Sequence, residues 1–159
     1  MMPKTSYGIL VYKISYGQAK VLLTHPSGPF WANKDSWTVP KGEPEAAESE
    51  LDTAKREFHE ETGLNLNFDQ PLIDLGEHKQ SSIKTNHIWA INADPDLGGF
   101  SSNTFELEWP PHSGTMQSFK EIDKIAWFEL ESAKTKLFPK QRPFIDRLEA
   151  VLHKELLLK

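Results

Sequence analysis

Residues 56–61 read Arg56-Glu57-Phe58-His59-Glu60-Glu61. On a helix turning about 100° per residue, Glu57, Glu60 and Glu61 fall within roughly 100° of arc. Upstream and within the same stretch, Ala47, Leu51, Ala54 and Phe58 recur at i, i+4, i+7 and i+11. That spacing predicts a helix over 46–62 with one buried face, and Gly63 supplies a C-terminal stop. The three carboxylates lie on the flank beside the buried face. Like charges at that spacing repel, so helix stability alone does not select them. Geometry leaves two readings open. One is a solvated acidic face. The other is a seat for a hard divalent cation, Mg²⁺ or Mn²⁺, which takes oxygen ligands.

The charge distribution sharpens the question. The 159-residue chain has a net charge of −5, but residues 42–64 hold eight acids and two bases. This window carries −6 and the remainder is nearly neutral. A local acidic patch suits a divalent cation better than a bare polyanion. Duplex nucleic acid is therefore disfavoured as a simple electrostatic partner, unless a metal ion bridges to it.

The residues around the carboxylates extend the pattern. Gly42, Glu48, Arg56, Glu57, Glu60, Glu61 and Gly63 stand in the order Gly-x5-Glu-x7-Arg-Glu-apolar-x-Glu-Glu-x-Gly-apolar. This spacing resembles the signature of the Nudix hydrolases at every fixed position. The resemblance implies an α+β fold, a mixed β-sheet sandwiched between α-helices. It also implies Mg²⁺- or Mn²⁺-dependent hydrolysis of a nucleoside diphosphate linked to another moiety. Carried over residue by residue, Glu57, Glu60 and Glu61 become metal-binding and catalytic carboxylates, and the Gly42 carbonyl a further metal ligand. Arg56 becomes the group that orients the glutamates through charge-assisted hydrogen bonds. Glu48 is expected to be structural, in the first helical turn near the positive end of the dipole. Glu57 is the first choice of general base, with a base outside the motif as the alternative. Glu121, just ahead of a Trp-containing strand, is similar to an additional metal-binding or catalytic glutamate of several Nudix enzymes. Glu106 and Glu108 are weaker candidates for that role.

The run Trp37-Thr38-Val39-Pro40-Lys41-Gly42 leads into the motif. It is similar to the dinucleoside polyphosphate hydrolases and to diphosphoinositol polyphosphate and RNA 5′-end relatives. Lys41 is expected to reach a substrate phosphate as a point charge, and Trp37 to pack in the core. Lys84 and His87 are further substrate-binding candidates. They have opposite parity on one strand, so a regular strand turns at most one of them to the cleft. Residues 79–82 read Lys-Gln-Ser-Ser, without the Pro or Tyr that marks some subfamilies. That weakens an ADP-ribose assignment and removes one support for diadenosine polyphosphates.

Positioning these residues requires a frame. Residues 6–14 and 19–24 read as two strands of a hairpin, and 37–39 as a short strand stopped by Pro40. Segments 72–79, 84–92 and 124–130 are further strands. Residues 93–118, rich in Pro and Gly, read as a long insert of functional or mobile character. A final helix is expected over 141–158, with Phe144, Ile145, Leu148, Leu152 and Leu156 on one face and Pro143 in its first turn. The order β-β-β-α-β-β-β-α suggests one mixed sheet with helices packed on it, in one domain spanning 1–159.

Several classes are excluded. With no cysteine, disulfide scaffolds, thiolate zinc sites and cysteine nucleophiles drop out. His59-Glu60-Glu61-Thr62-Gly63 lacks the second histidine of a zinc protease. There is no P-loop and no Gly-x-Ser-x-Gly elbow. No apolar run reaches membrane-spanning length, and the start from Met1 lacks a signal-peptide core, so a cytoplasmic protein is the default. The expected partner is a nucleotide or dinucleoside polyphosphate substrate, with a nucleoside triphosphate or an RNA 5′ end as the alternative, and nucleic acid only as that RNA end. The chain is expected to be a monomer or homodimer. The rival of another class is a Nudix module that senses a nucleotide without hydrolysing it, although no motif glutamate is missing.

Overall fold

Alternating side chains along residues 4–15 build the central strand. β1 (Lys4–Ser15) turns Ile9 and Val11 to one side and Leu10 and Tyr12 to the other, all buried. A strand buried on both faces belongs in the middle of a sheet. In this computed structural model, which describes residues 2–155 and 157–158, β1 pairs antiparallel with β2 (Gln18–Pro26) and parallel with β5 (Lys84–Asn92). β4 (Leu72–Lys79) and β8 (Ile122–Glu129) complete the order β4-β5-β1-β2-β8. The sheet is therefore mixed.

Helix α1 (Glu50–Thr62) covers one face, with Ala54 and Phe58 buried against Ile9, Val11, Leu22 and Ile91. The other face is covered by α2 (Leu130–Lys136) and α3 (Arg142–Lys154). Phe144, Ile145, Leu148 and Leu152 are fully buried there, as the apolar spacing predicts. Leu156, expected on the same face, and Met1 lie outside the described residues.

The sheet splits where the motif enters it. β1 pairs with β2 only through Val11–Ser15, and its earlier residues Tyr7 and Gly8 pair with the two-residue strand β3 (Lys41–Gly42). The segment before β3 departs from the expected strand over 37–39. It makes only isolated bridges, Thr24 to Thr38 and Trp37 to Leu137. The buried Gln141 side chain takes the place of a ladder, its Oε1 accepting from the Val39 N–H at 2.9 Å. Trp37 is buried, as expected.

Three other boundaries differ from the sequence reading. The helix expected from residue 46 begins at Glu50, because Ala47 takes a φ of 62° and Ser49 caps the Asp52 N–H. Glu48 therefore lies ahead of the helix, not in its first turn. The strand expected to end at 130 gives way to α2, whose seven residues are too few for a clear periodicity. The insert is not irregular throughout. β6 (Thr104–Glu108) and β7 (Met116–Lys120) form a separate two-stranded hairpin. No helix among the described residues is long and apolar enough to cross a membrane.

Gly63 ends α1 in the left-handed region, φ 70°, and a Cβ there would overlap Ser101. Gly63→Ala is expected to destabilise the fold by more than about 1–2 kcal/mol, the cost of that conformation for an L-residue alone. Equilibrium urea denaturation of the purified variant checks this.

Candidate active site

The site forms where the sheet split meets the exposed flank of α1. Arg56 is its central cation. Its guanidinium donates to Glu48 at 2.8 and 3.0 Å, to Glu57 Oε1 at 2.9 Å and to Glu60 Oε2 at 3.0 Å. It also donates to the Glu43 carbonyl at 3.0 Å. This planar fork serves several acceptors at once, which a lysine cannot do. The ion pair holds the Glu48 carboxyl down at about 2, and the acids around Arg56 keep the guanidinium charged.

Gly42 provides space for the Glu57 carboxylate. A Cβ at Gly42 would overlap that carboxyl group directly. Gly8, across the β1–β3 pair, is equally confined, with a Cβ there overlapping the Pro40 carbonyl. Two glycines thus allow two backbone segments and a carboxylate to share a volume that side chains would fill.

Glu61 is buried, and its Oε2 accepts the Lys41 backbone N–H at 3.0 Å. Burial, then the charges of Glu57 and Glu121, push its carboxyl up to about 9. Glu121 is raised in the same direction by burial and by Glu57 and Glu60. The two shifts place Glu121 within electrostatic reach of the α1 carboxylates, although about 60 residues separate them in sequence. The Lys41 ammonium is pushed down to about 8, first by burial and then by Lys84, against the opposing pull of Glu61 and Glu57. Lys41 and Lys84 therefore share one side of the site.

Backbone bonds fasten Glu121 to the helix. The Asn103 N–H donates to the Glu60 carbonyl at 3.0 Å, and the Asn103 carbonyl accepts from Glu121 N–H at 2.8 Å. Ser101 N–H binds the Thr62 carbonyl at 2.9 Å, and Ser102 Oγ accepts from Ile122 N–H at 3.0 Å. The strap 101–103 was not singled out in the sequence. Its work is done largely by main-chain atoms, which leave no compositional signal.

The profile of the Nudix domain matches residues 2–148. This chain belongs to the Nudix family. A crystal structure of a Caenorhabditis elegans Ap4A hydrolase binary complex superposes with a TM-score of 0.59 at 20% identity, covering 95% of this chain and 98% of that one. A Nudix hydrolase structure from Listeria monocytogenes gives a TM-score of 0.67 at 17% identity, with 95% of each chain covered. Among curated proteins, the mRNA-decapping protein g5R of African swine fever virus is 29% identical over 104 residues. That match takes in 62% of this chain and 39% of the viral protein, so the chain spans about two fifths of that relative's length.

The structure brings together Glu57, Glu60, Glu61, Glu121, Gly42, Arg56, Lys41 and Lys84 around one Nudix site. His87 lies on the α1 side of the sheet in register with Tyr7 and Gly42, where it stacks on Trp89 at 4.1 Å and pairs with Asp74 at 2.7 Å through Nε2. Glu106 and Glu108 are set apart. Both are exposed on the outer face of the β6–β7 hairpin, and Glu108 accepts the His112 N–H.

A divalent cation suits this donor set. Four carboxylates converge with one guanidinium between two of them, and the crowding shows in the raised Glu61 and Glu121. Hard oxygen donors at such density favour Mg²⁺-like ions. Among the described residues, no three acidic or imidazole side chains already surround one point at ligand spacing.

The pH dependence follows from Glu61. Its folded value lies above its unfolded one, so its contribution to stability is complete below about pH 4.5 and is lost as pH rises toward about 9. In the presence of a chelator, wild type is expected to lose stability relative to Glu61→Gln across that window. Denaturant midpoints measured from pH 5 to 9 check the slope, and parallel curves would contradict it.

Proposed function

We propose that this Nudix domain is a Mg²⁺- or Mn²⁺-dependent pyrophosphohydrolase acting on a phosphoanhydride in a nucleotide-linked substrate. The observation that carries this reading is that the Glu57 carboxylate fills the space beside Gly42, with Glu60, Glu61 and Glu121 within electrostatic reach of one another and of Glu57. Glu57, Glu60, Glu61, Glu121 and the Gly42 carbonyl are the groups that would hold the cation. When bound, the cation supplies charge neutralisation on the phosphate oxygens and acidifies water.

The chain's own residues carry the remaining work. Glu57 accepts the proton of the attacking water. Water oxygen bonds to phosphorus, the bridging P–O bond breaks, and the leaving phosphate departs with its electron pair. Arg56 positions Glu57 and Glu60 by direct hydrogen bonds. Lys41 and Lys84 face the substrate polyphosphate. Burial and mutual repulsion make Lys41 a better partner for an anion than for solvent.

For the substrate, a dinucleoside polyphosphate stands first. The Trp-x-x-Pro-Lys-Gly run and the likeness to the Ap4A hydrolase support it. An RNA 5′ end is the second reading, favoured by the similarity to the mRNA-decapping protein.

Glu57→Gln and Glu61→Gln are each expected to lower turnover by about 10²–10⁴-fold, the usual worth of a positioned acid or base, with circular dichroism unchanged. Near-wild-type rates from both variants would overturn the assignment. The assay is Mg²⁺-dependent hydrolysis of diadenosine tetraphosphate, with ATP and AMP separated by chromatography. A capped RNA in parallel distinguishes the second reading.

A further inference from the structure

The β6–β7 hairpin grows out of the active site. Its root is the Asn103–Glu121 bond, and Asn103 also holds the Glu60 carbonyl. Residues 27–30 run along it from root to tip. Ser27 N–H binds the Glu121 carbonyl at 2.9 Å, and the buried Gly28 lies against the Phe105 ring, where a Cβ would come within 3.1 Å. At the far end, the Phe30 and Trp109 rings meet at 5.3 Å and 81°. Strand alternation places Phe105, Leu107, Gln117 and Phe119 on one face of the hairpin and the acids Glu106 and Glu108 on the other.

The packing of this face explains Phe105 and Phe119, which form a cross-strand pair at 5.9 Å. It does not explain Phe30, which is 57% exposed. Beside it, Trp31 is 38% exposed and carries the Lys34 ammonium 4.8 Å from its ring centre. An aromatic pair at right angles, with Phe30 exposed and Trp109 half-buried, offers a planar group one ring to stack on and a second to meet edge-on. The five residues of β6 extend about 15–17 Å at the usual rise.

We propose that Phe30 and Trp109 form a stacking shelf for a nucleobase of the substrate remote from the phosphoanhydride that is cleaved. The occupant follows from continuity with the carboxylate site: one hairpin carries Glu121 at its root and Trp109 at its tip. The acids on the hairpin's outer face are turned away from this path, and Lys34 supplies a cation beside it. The shelf selects substrates with a second base, dinucleoside polyphosphates or RNA 5′ ends, over single nucleotides. It rests on the pyrophosphohydrolase reading above.

The test is equilibrium binding by calorimetry to the full chain, using a methylene-bridged, non-hydrolysable diadenosine tetraphosphate and, separately, inorganic tripolyphosphate. Stacking on an aromatic ring predicts that Phe30→Ala with Trp109→Leu weakens the dinucleotide analogue by about 5- to 100-fold. Tripolyphosphate binding stays unchanged. In wild type, the Trp109 indole N–H resonance shifts with the analogue and not with tripolyphosphate. Equal affinities of wild type and variant for the analogue overturn the shelf. So does an equal loss for tripolyphosphate, or loss of a dimer in the variant by analytical ultracentrifugation, which would assign the patch to a second copy of the chain. The pyrophosphohydrolase reading fails separately, when wild type hydrolyses no phosphoanhydride of the substrate panel in Mg²⁺.

Discussion

Crowded like charge is the constraint around which this molecule is arranged. Glu57, Glu60 and Glu61 occupy one flank of α1, and Glu121 approaches from the bend between β7 and β8. Arg56 holds two of them and binds Glu48 and the Glu43 carbonyl besides. A guanidinium serves five acceptor contacts from one plane. It thereby ties the loop before α1 to the helix flank and partly compensates the repulsion. The helix itself is anchored elsewhere, by Ala54 and Phe58 in the core. Anchoring and chemistry are thus on adjacent faces of the same thirteen residues.

The same crowding produces two opposite proton affinities. Glu61 is driven up to about 9 and Lys41 down to about 8. Each shift opposes the charged form that binding would require. On the proposed reading, a cation beside Glu61 would favour its carboxylate and a phosphate beside Lys41 would favour its ammonium, so the two ligands would be linked by charge. The split between β1 and β2 permits this juxtaposition, because it lets Lys41 and Gly42 enter as β3 between the two groups.

How far this was legible in the sequence depended on the kind of signal. The glutamates, Arg56 and both bracketing glycines stand at fixed spacings within one helix and its flanks, so local geometry alone orders them. The buried faces of β1 and α3 were legible for the same reason. Glu121 was legible as a candidate, but its approach to Glu57 depends on a sheet register and a strap of backbone hydrogen bonds. Lys84 and His87 stayed alternatives because a strand's parity does not say which face meets the cleft. The structure turns His87 onto Trp89 and Asp74. The start of α1 was misplaced because Ala46 and Ala47 favour helix by type, whereas the loop that brings Glu48 to Arg56 requires Ala47 at positive φ.

The hairpin shows the limit of such reading most clearly. Thr104 to Glu108 alternates polar and apolar residues as a strand should, yet Pro95, Gly98, Gly99, Pro110, Pro111 and Gly114 surround it. Density of breakers outweighed a five-residue alternation. The attachment of this hairpin to the site uses main-chain groups of Ser101, Asn103 and Glu121. Such an attachment tolerates changes of side chain without losing its bonds. The carboxylates, by contrast, permit almost none, since even a methyl at Gly42 would overlap Glu57. A site built this way separates two tasks physically. On the proposed reading, the helix flank acts on the bond that is broken, and the hairpin selects the molecule that presents it.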